Sequence, residues 1–204
     1  MLYAFWRPEA IGADLTRLIL CPYASLYFME LIDLTLPVVT GMPVYPGDPP
    51  VRVREICDLP GHGFRLHEIQ LGSHTGTHVN APWHMAAQGA RLEDLPLTHF
   101  VARAVVRQRD GRVPKPHLGL IYADFPLEES ELPLILAARP PFVAQAVEYP
   151  LDAAVERTLC EAGIVSFENL ADTAKLPRSQ AFLFAGLPLA ITGYGAPVRA
   201  VAIF

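Results

Sequence analysis

Apolar and polar residues alternate over several short stretches of the chain, and a period of two marks a half-buried strand. Residues 30–39 place Ile32 and Leu34 on one face and Leu31 and Asp33 on the other. Residues 51–58 set Val53 and Glu55 against Arg54 and Ile56, and 64–72 form a third extended stretch. Further strands are predicted over 100–108, 118–124, 141–146, 164–167, 182–185 and 198–204. Helical periodicity is rarer. Val155, Leu159 and Ala162 recur at intervals of four and three, with Asp152 at the N-cap and Gly163 at the stop, which predicts one helix. Residues 127–138 are acidic and then apolar, a second helix interrupted by Pro133. Turn chemistry falls at 40–43, 60–63 and 109–112, and the prolines at 46, 49 and 50 make 45–50 an irregular loop. Strands outnumber helices, and the pattern by itself gives an α/β or α+β domain.

One stretch carries most of the chemistry. His74-Thr75-Gly76-Thr77-His78-Val79-Asn80-Ala81-Pro82-Trp83-His84 holds three of the seven histidines, spaced four and then six apart. Neutral imidazole is the commonest metal ligand and a general base near neutral pH. A helix is disfavoured here: Gly76 weakens it, Thr75 and Thr77 are β-branched, and Pro82 cannot occupy its interior. No glutamate follows the first histidine, so the helical zinc-protease motif is absent. An extended backbone puts His74, Gly76, His78 and Asn80 on one face, with Pro82 ending the strand and His84 swinging in from a loop. His62 and His67 have no partner at ligand spacing, His99 reads as a packing or capping residue, and His117 follows an exposed proline pair; all four are structural.

Composition narrows the classes. The chain has 204 residues, 51% hydrophobic and only 18% charged, which excludes disorder and suits one domain with a sizeable core. The net charge is −5 and no basic block occurs, so nucleic-acid binding is disfavoured. No run of eighteen apolar residues exists, so no transmembrane helix is expected and membrane association is not indicated. Cys21, Cys57 and Cys160 are odd in number and widely spaced, which favours a reduced, cytoplasmic setting over a disulfide framework.

The histidine stretch resembles the H-x-G-[TA]-H-x-D-x-P-x-H signature of the cyclase family, which includes bacterial kynurenine formamidases and isatin hydrolases. The resemblance extends to Leu31-Ile32-Asp33-Leu34-Thr35, Pro43-Val44-Tyr45-Pro46-Gly47-Asp48, Phe167-Glu168-Asn169-Leu170 and Pro197-Val198-Arg199-Ala200, and so covers the chain from about residue 29 to its end. Residues 1–28 are then an extension outside the family, or the product of an overlong gene start. The resemblance implies a cyclase-like swivelling β/β/α fold with a mixed sheet and few helices, in a single domain over 29–204. It implies a divalent metal, zinc or manganese, one or two per chain, and a homo-oligomer, commonly a dimer.

Carried over by residue, His74 and His78 are metal ligands, His84 is the catalytic acid/base and Glu168 is a later ligand. Two positions depart from the family pattern. Asn80 stands where the family has a bridging aspartate, and Glu156 where it has a histidine twelve residues before Glu168. An amide oxygen is neutral and bridges two metals poorly, whereas Glu156 returns the charge lost at position 80. The harder oxygen set favours manganese, iron or magnesium relative to zinc and predicts a rearranged site with one metal. The residues leave alternatives open: Glu156 as a solvated carboxylate at a helix start, Asn80 as an Asx-turn residue before Pro82. Tyr45 corresponds to an aromatic that the family sets against its substrate; it could equally pack its own loop. With Trp83 and Phe64 it suits an aryl substrate. The activity implied is metal-dependent hydrolysis of a small amide or cyclic amide, with arylformamidase, the kynurenine-forming step of tryptophan catabolism, as the named candidate. The alternative is an impaired relative that binds metal or a small ligand without turnover.

Overall fold

The structure, a computed structural model, describes residues 29–204; the expected extension over 1–28 lies outside the described residues. The strands are β1 (Leu31–Asp33), β2 (Arg52–Cys57), β3 (Leu66–Gln70), β4 (His78–Asn80), β5 (Val101–Val106), β6 (Gly119–Tyr122), β7 (Phe142–Ala146), β8 (Val165–Leu170), β9 (Phe182–Ala185), β10 (Gly195–Pro197) and β11 (Val201–Ile203). Helices α1 (Leu59–His62), α2 (Leu132–Ala138) and α3 (Ala153–Glu161) join some of them. Nine strands form one mixed sheet in the order β1-β11-β9-β5-β6-β7-β8-β4-β10. The central pairs β5/β6, β6/β7 and β7/β8 are parallel and the flanking pairs antiparallel. Parallel neighbours need a crossover; α2 supplies it between β6 and β7 and α3 between β7 and β8, while residues 107–118 join β5 to β6 without a helix. Both faces of β6 and β7 are therefore covered, and every residue of these two strands is buried.

Two apolar clusters hold the sheet. On one face Phe142, Phe167 and Phe184 pack edge to face and tilted, with centroids 4.7–5.2 Å apart. Leu34, Ala196 and Ala202, from opposite ends of the strand order, join the same cluster, so the sheet curls around it. Gly119 is required here: a Cβ would lie 2.1 Å from the Phe142 ring. On the other face α2 and α3 cover Leu120, Tyr122 and Val143 with Ile135, Val155 and Leu159. Helix α3 follows its sequence pattern closely. The Asp152 carboxylate accepts from Ala154 N at 2.8 Å and Val155 N at 3.3 Å, and Gly163 lies just past the end with φ 75°.

Three elements differ from the sequence expectation. The first strand spans three residues rather than ten, because Pro37 follows and Leu36 N donates to the Thr77 hydroxyl at 2.8 Å instead of to a neighbouring strand. Pro133 does not interrupt its helix: it sits in the first turn of α2, where no intrahelical donor is needed. The strand over 66–70 pairs only with β2, in a separate two-stranded arm. The chain then turns at 72–77 before β4 begins, with Gly76 at φ 60°, so the histidine stretch is not one continuous strand.

Candidate active site

β4 and β8 lie side by side with His78 opposite Glu168 and Asn80 opposite Ser166. In antiparallel neighbours, directly opposed side chains share a face, so His78, Asn80 and Glu168 converge. Helix α3 crosses this face and lowers Glu156, only 5% exposed, onto it. His74 reaches the cluster from the turn before β4, and His84 from a 3-10 turn spanning Pro82–His84. The parity argument therefore holds for His78 and Asn80, while tertiary structure delivers His74 and His84.

Asn80 is the hub. Its amide nitrogen donates to Glu156 Oε1 at 2.6 Å and to Glu168 Oε1 at 2.7 Å. Two carboxylates facing the NH2 group fix which way the amide points. Its oxygen therefore faces His74 Nδ1, 2.8 Å away, and that nitrogen must donate. The tautomer follows: His74 Nε2 carries a bare lone pair, and it is buried without a partner. His78 is oriented the same way by a different group. Its Nδ1 donates to the Gly76 carbonyl at 2.9 Å, turning Nε2 toward Glu168 Oε1 at 3.4 Å. Asn169, with φ 58°, donates to that same carbonyl at 2.9 Å and so braces the turn from the far side. His84 Nε2 lies 3.8 Å from Glu156 Oε1, and its ring centroid is 4.4 Å from that of His74.

Charge in this cluster is sorted by burial and neighbours. Burial and the like charge of Glu168 push Glu156 up to about 7. Burial pulls Glu168 the same way, but the His78 pair outweighs it and holds that carboxyl below its usual range. Burial works against a charged His78 as well, and the Glu168 carboxylate reverses it, raising that imidazole. Burial, then the neighbouring His74, brings His84 down to about 4, and burial with His78 lowers His74. His84 is therefore a neutral base near pH 7.

The donor set suits a divalent cation in kind: imidazole nitrogens, two carboxylates and an amide oxygen, with the orphaned Nε2 of His74 lacking any protein partner. The arrangement is closed by the amide, whose two N–H bonds stand between the carboxylates where a cation would draw them together. Among the described residues no three His, Cys, Asp or Glu side chains are already gathered as a metal centre. Turning the Asn80 amide over would direct its oxygen to the same place, but its NH2 would then face His74 Nδ1 and shift that ring's proton to Nε2, so the amide oxygen and His74 Nε2 are alternative donors. Ser166 Oγ, on the sheet face shared by Asn80 and Glu168, is also buried without a partner.

The aromatic residues fall in different places. Trp83 borders the site and meets Tyr194 edge-on at 6.0 Å. Tyr45 stands in its loop, 77% exposed, and Phe64 lies at the tip of the β2–β3 arm beside His62. Sequence reasoning missed Tyr194, whose ring lies over His74 and His84 with centroids 5.6 and 5.5 Å away. Its signal was the flanking pair Gly193 and Gly195, which free the backbone on both sides of an aromatic ring. A Cβ at Gly195 would lie 3.0 Å from the His74 ring.

Comparison with known proteins matches residues 32–125 to the Cyclase family model. A kynurenine formamidase from Salinibacter ruber is 31% identical over 210 residues, an alignment covering 85% of this chain and 97% of that protein. Among solved structures, isatin hydrolase A from Labrenzia aggregata superposes with a TM-score of 0.71 at 20% identity, covering 86% of this chain and 93% of that one. A protein described as a predicted metal-dependent hydrolase from Bacillus stearothermophilus gives 0.67 at 21% identity, covering 86% and 98%. The two structural likenesses share the curled mixed sheet with few helices.

Proposed function

The chain belongs to the Cyclase family, and from that premise we propose that it is a metal-dependent hydrolase of a small amide or cyclic amide, with N-formylkynurenine as the first substrate to test. The observation that carries this reading is the imidazole of His84, held within one polar cluster with His74, His78, Glu156 and Glu168. His74 and His78 through Nε2, with Glu156 and Glu168, would hold one divalent cation, zinc or manganese; a turned Asn80 amide would offer its oxygen in place of His74 Nε2, whose lone pair the turn removes. When bound, such an ion supplies Lewis acidity, making a water more acidic and drawing electrons from the substrate carbonyl. His84 takes the proton from the attacking water and passes it to the departing amine, so its low pKa keeps it ready as the base. Tyr194 and Trp83 shield one side of the imidazoles from bulk water.

The test is turnover of N-formylkynurenine by protein stripped of metal and reloaded with zinc or manganese, with His84→Ala alongside and metal per chain measured by elemental analysis. Formate release that needs a metal and is lost in the variant supports the reading. A second reading, a relative that binds without turnover, rests on the amide closing the space between the carboxylates. Absence of turnover with either metal, with wild type and variant indistinguishable, selects it.

Two finer points belong to the same proposal. The β2–β3 arm has no buried residue and exposes Ile56, Leu59, Phe64, Leu66 and Ile69. An isolated two-stranded hairpin is marginal in water, which supports a second copy of the chain covering it in a homodimer. Light scattering on wild type and Ile69→Asp checks this: a monomeric wild type would remove it. Cys57 and Cys160 are both free thiols, consistent with a reducing cytoplasmic compartment. Among the described residues no helix is long and apolar enough to cross a membrane.

A further inference from the structure

A ladder of ring contacts, ending in a cation, runs outward from the imidazoles. Tyr194 lies nearly parallel to His84, at 18°. Trp83 stands edge-on to Tyr194 at 66°, and the Arg91 guanidinium sits 4.0 Å from the centre of the Trp83 ring. Backbone hydrogen bonds fix each rung. Ala81 N donates to Tyr194 O at 2.7 Å, Trp83 N to Ala90 O at 3.0 Å, and Leu92 N to Gly193 O at 2.9 Å. The segments carrying Tyr194 and Arg91 are thus tied to one another beside the imidazoles.

The end of the ladder is a cation with unspent donors. A guanidinium held over a ring by cation–π attraction spends none of its N–H donors in that contact. Arg91 is exposed, and among the described residues its side chain forms no ion pair and no hydrogen bond. Glu93, its acidic neighbour two residues on, is engaged elsewhere, accepting from Gly193 N at 3.0 Å. A planar fork of donors held over Trp83, itself edge-on to Tyr194, matches a carboxylate carried on an aryl group: the rings take the flat body and the fork takes the charge in two parallel hydrogen bonds.

We infer that Arg91 is a specificity residue, selecting an aryl substrate that bears a carboxylate away from the bond to be cleaved. The inference rests on the hydrolase reading above for the word substrate, and on the ladder alone for the binding preference. Nothing in it requires the carboxylate to touch the buried cluster.

Isothermal titration of the full chain as purified, with 2-aminobenzoate and with its neutral isostere 2-aminobenzamide, tests it. At low salt the carboxylate is expected to bind roughly ten- to a hundred-fold more tightly. Arg91→Gln should bring the ratio close to one while leaving the affinity for the amide unchanged, and Arg91→Lys, which keeps the charge but not the fork, should fall between. Equal binding of the two probes to the wild type, a preference that survives Arg91→Gln, or no binding of either at millimolar concentration overturns the inference. Melting temperatures of both variants guard against a folding defect, which an exposed side chain gives little reason to expect. Hydrolysis of formanilide, an uncharged aryl formamide, separates the two claims. Formanilide turnover without a carboxylate preference sinks only Arg91's role; a carboxylate preference without any turnover sinks only the hydrolase.

Discussion

Two buried polar clusters sit in this sheet, and they are built on opposite principles. Beneath α2, Arg107 donates through Nε to Glu131 at 2.8 Å and through Nη1 to Asp110 at 3.0 Å, and the Tyr122 hydroxyl donates to the same Glu131 oxygen at 3.1 Å. Opposite charges meet there, and one oxygen of the Glu131 carboxylate takes two donors. Around Asn80, two carboxylates share the donors of one neutral amide, with His78 beside one of them. The first cluster is nearly complete, with Arg107 Nη2 its one unpartnered atom; the second leaves His74 Nε2 and Ser166 Oγ unpartnered and holds a carboxyl near 7. Burial of charge is costly unless compensated within the fold. A compensated cluster is part of the structure, whereas an under-compensated one is poised for something that the protein itself does not contain.

That contrast can be broken by mutation. The largest expected effect is on chemistry: His84→Ala should lower kcat by about a hundred- to ten-thousand-fold, the usual contribution of a positioned acid/base, with little change in melting temperature. Glu131→Ala should do the reverse. It leaves Arg107 buried without its main partner and should cost about 3–5 kcal/mol in denaturant unfolding, while activity per folded molecule persists. If the two variants gave the same profile, the distinction between the clusters would be lost.

Smaller effects sharpen it. Burial and Glu168 hold the Glu156 carboxyl at about 7, above the usual glutamate value of 4.5, so the folded state binds the extra proton between those values. Glu156 therefore contributes a loss of stability in chelator-treated protein as pH rises from about 4.5 to 7, of up to about 3 kcal/mol, while the depressed imidazoles of His84 and His74 contribute in the opposite direction over an overlapping range. Glu156→Gln keeps an acceptor for Asn80 and removes that contribution, so its melting temperature should gain on that of wild type as pH rises through this range; a difference independent of pH would contradict it. Asn80→Asp adds a third carboxylate to the same space. It should destabilise the chelated protein by about 1–3 kcal/mol and enlarge the thermal shift on adding manganese compared with wild type, both read by calorimetry. The smallest change belongs to the surface. Arg199→Ala removes a pair with Asp33 whose side chains are 74% and 47% exposed, and should cost under about 1 kcal/mol.

How legible the site was depends on the element concerned. His78 and Asn80 could be paired from spacing alone because both lie on β4, where alternate residues share a face. Glu168 sits on the parity of its own strand, and Glu156 falls one turn inside a helix with a clear N-cap and stop. What spacing could not say is that β4 lies next to β8 and that α3 crosses both. The residues of each pair are 76 and 88 positions apart, and only the sheet order closes those distances. Tyr194 was invisible for the same reason: it belongs to β10's edge of the sheet and touches the imidazoles only because β10 pairs with β4.

By itself, then, the sequence determined what is local: the strands with period two, the capped helix, the imidazole-rich stretch and the family to which they belong. Periodicity, capping and motif chemistry are properties of neighbouring residues, and a linear reading reaches them. Tertiary structure alone decided which way the Asn80 amide points, which nitrogen of His74 is left bare, and that an arginine closes the aromatic wall. Those outcomes depend on which groups meet across strands far apart in the chain, where a hydrogen bond made by one residue fixes what the next can do.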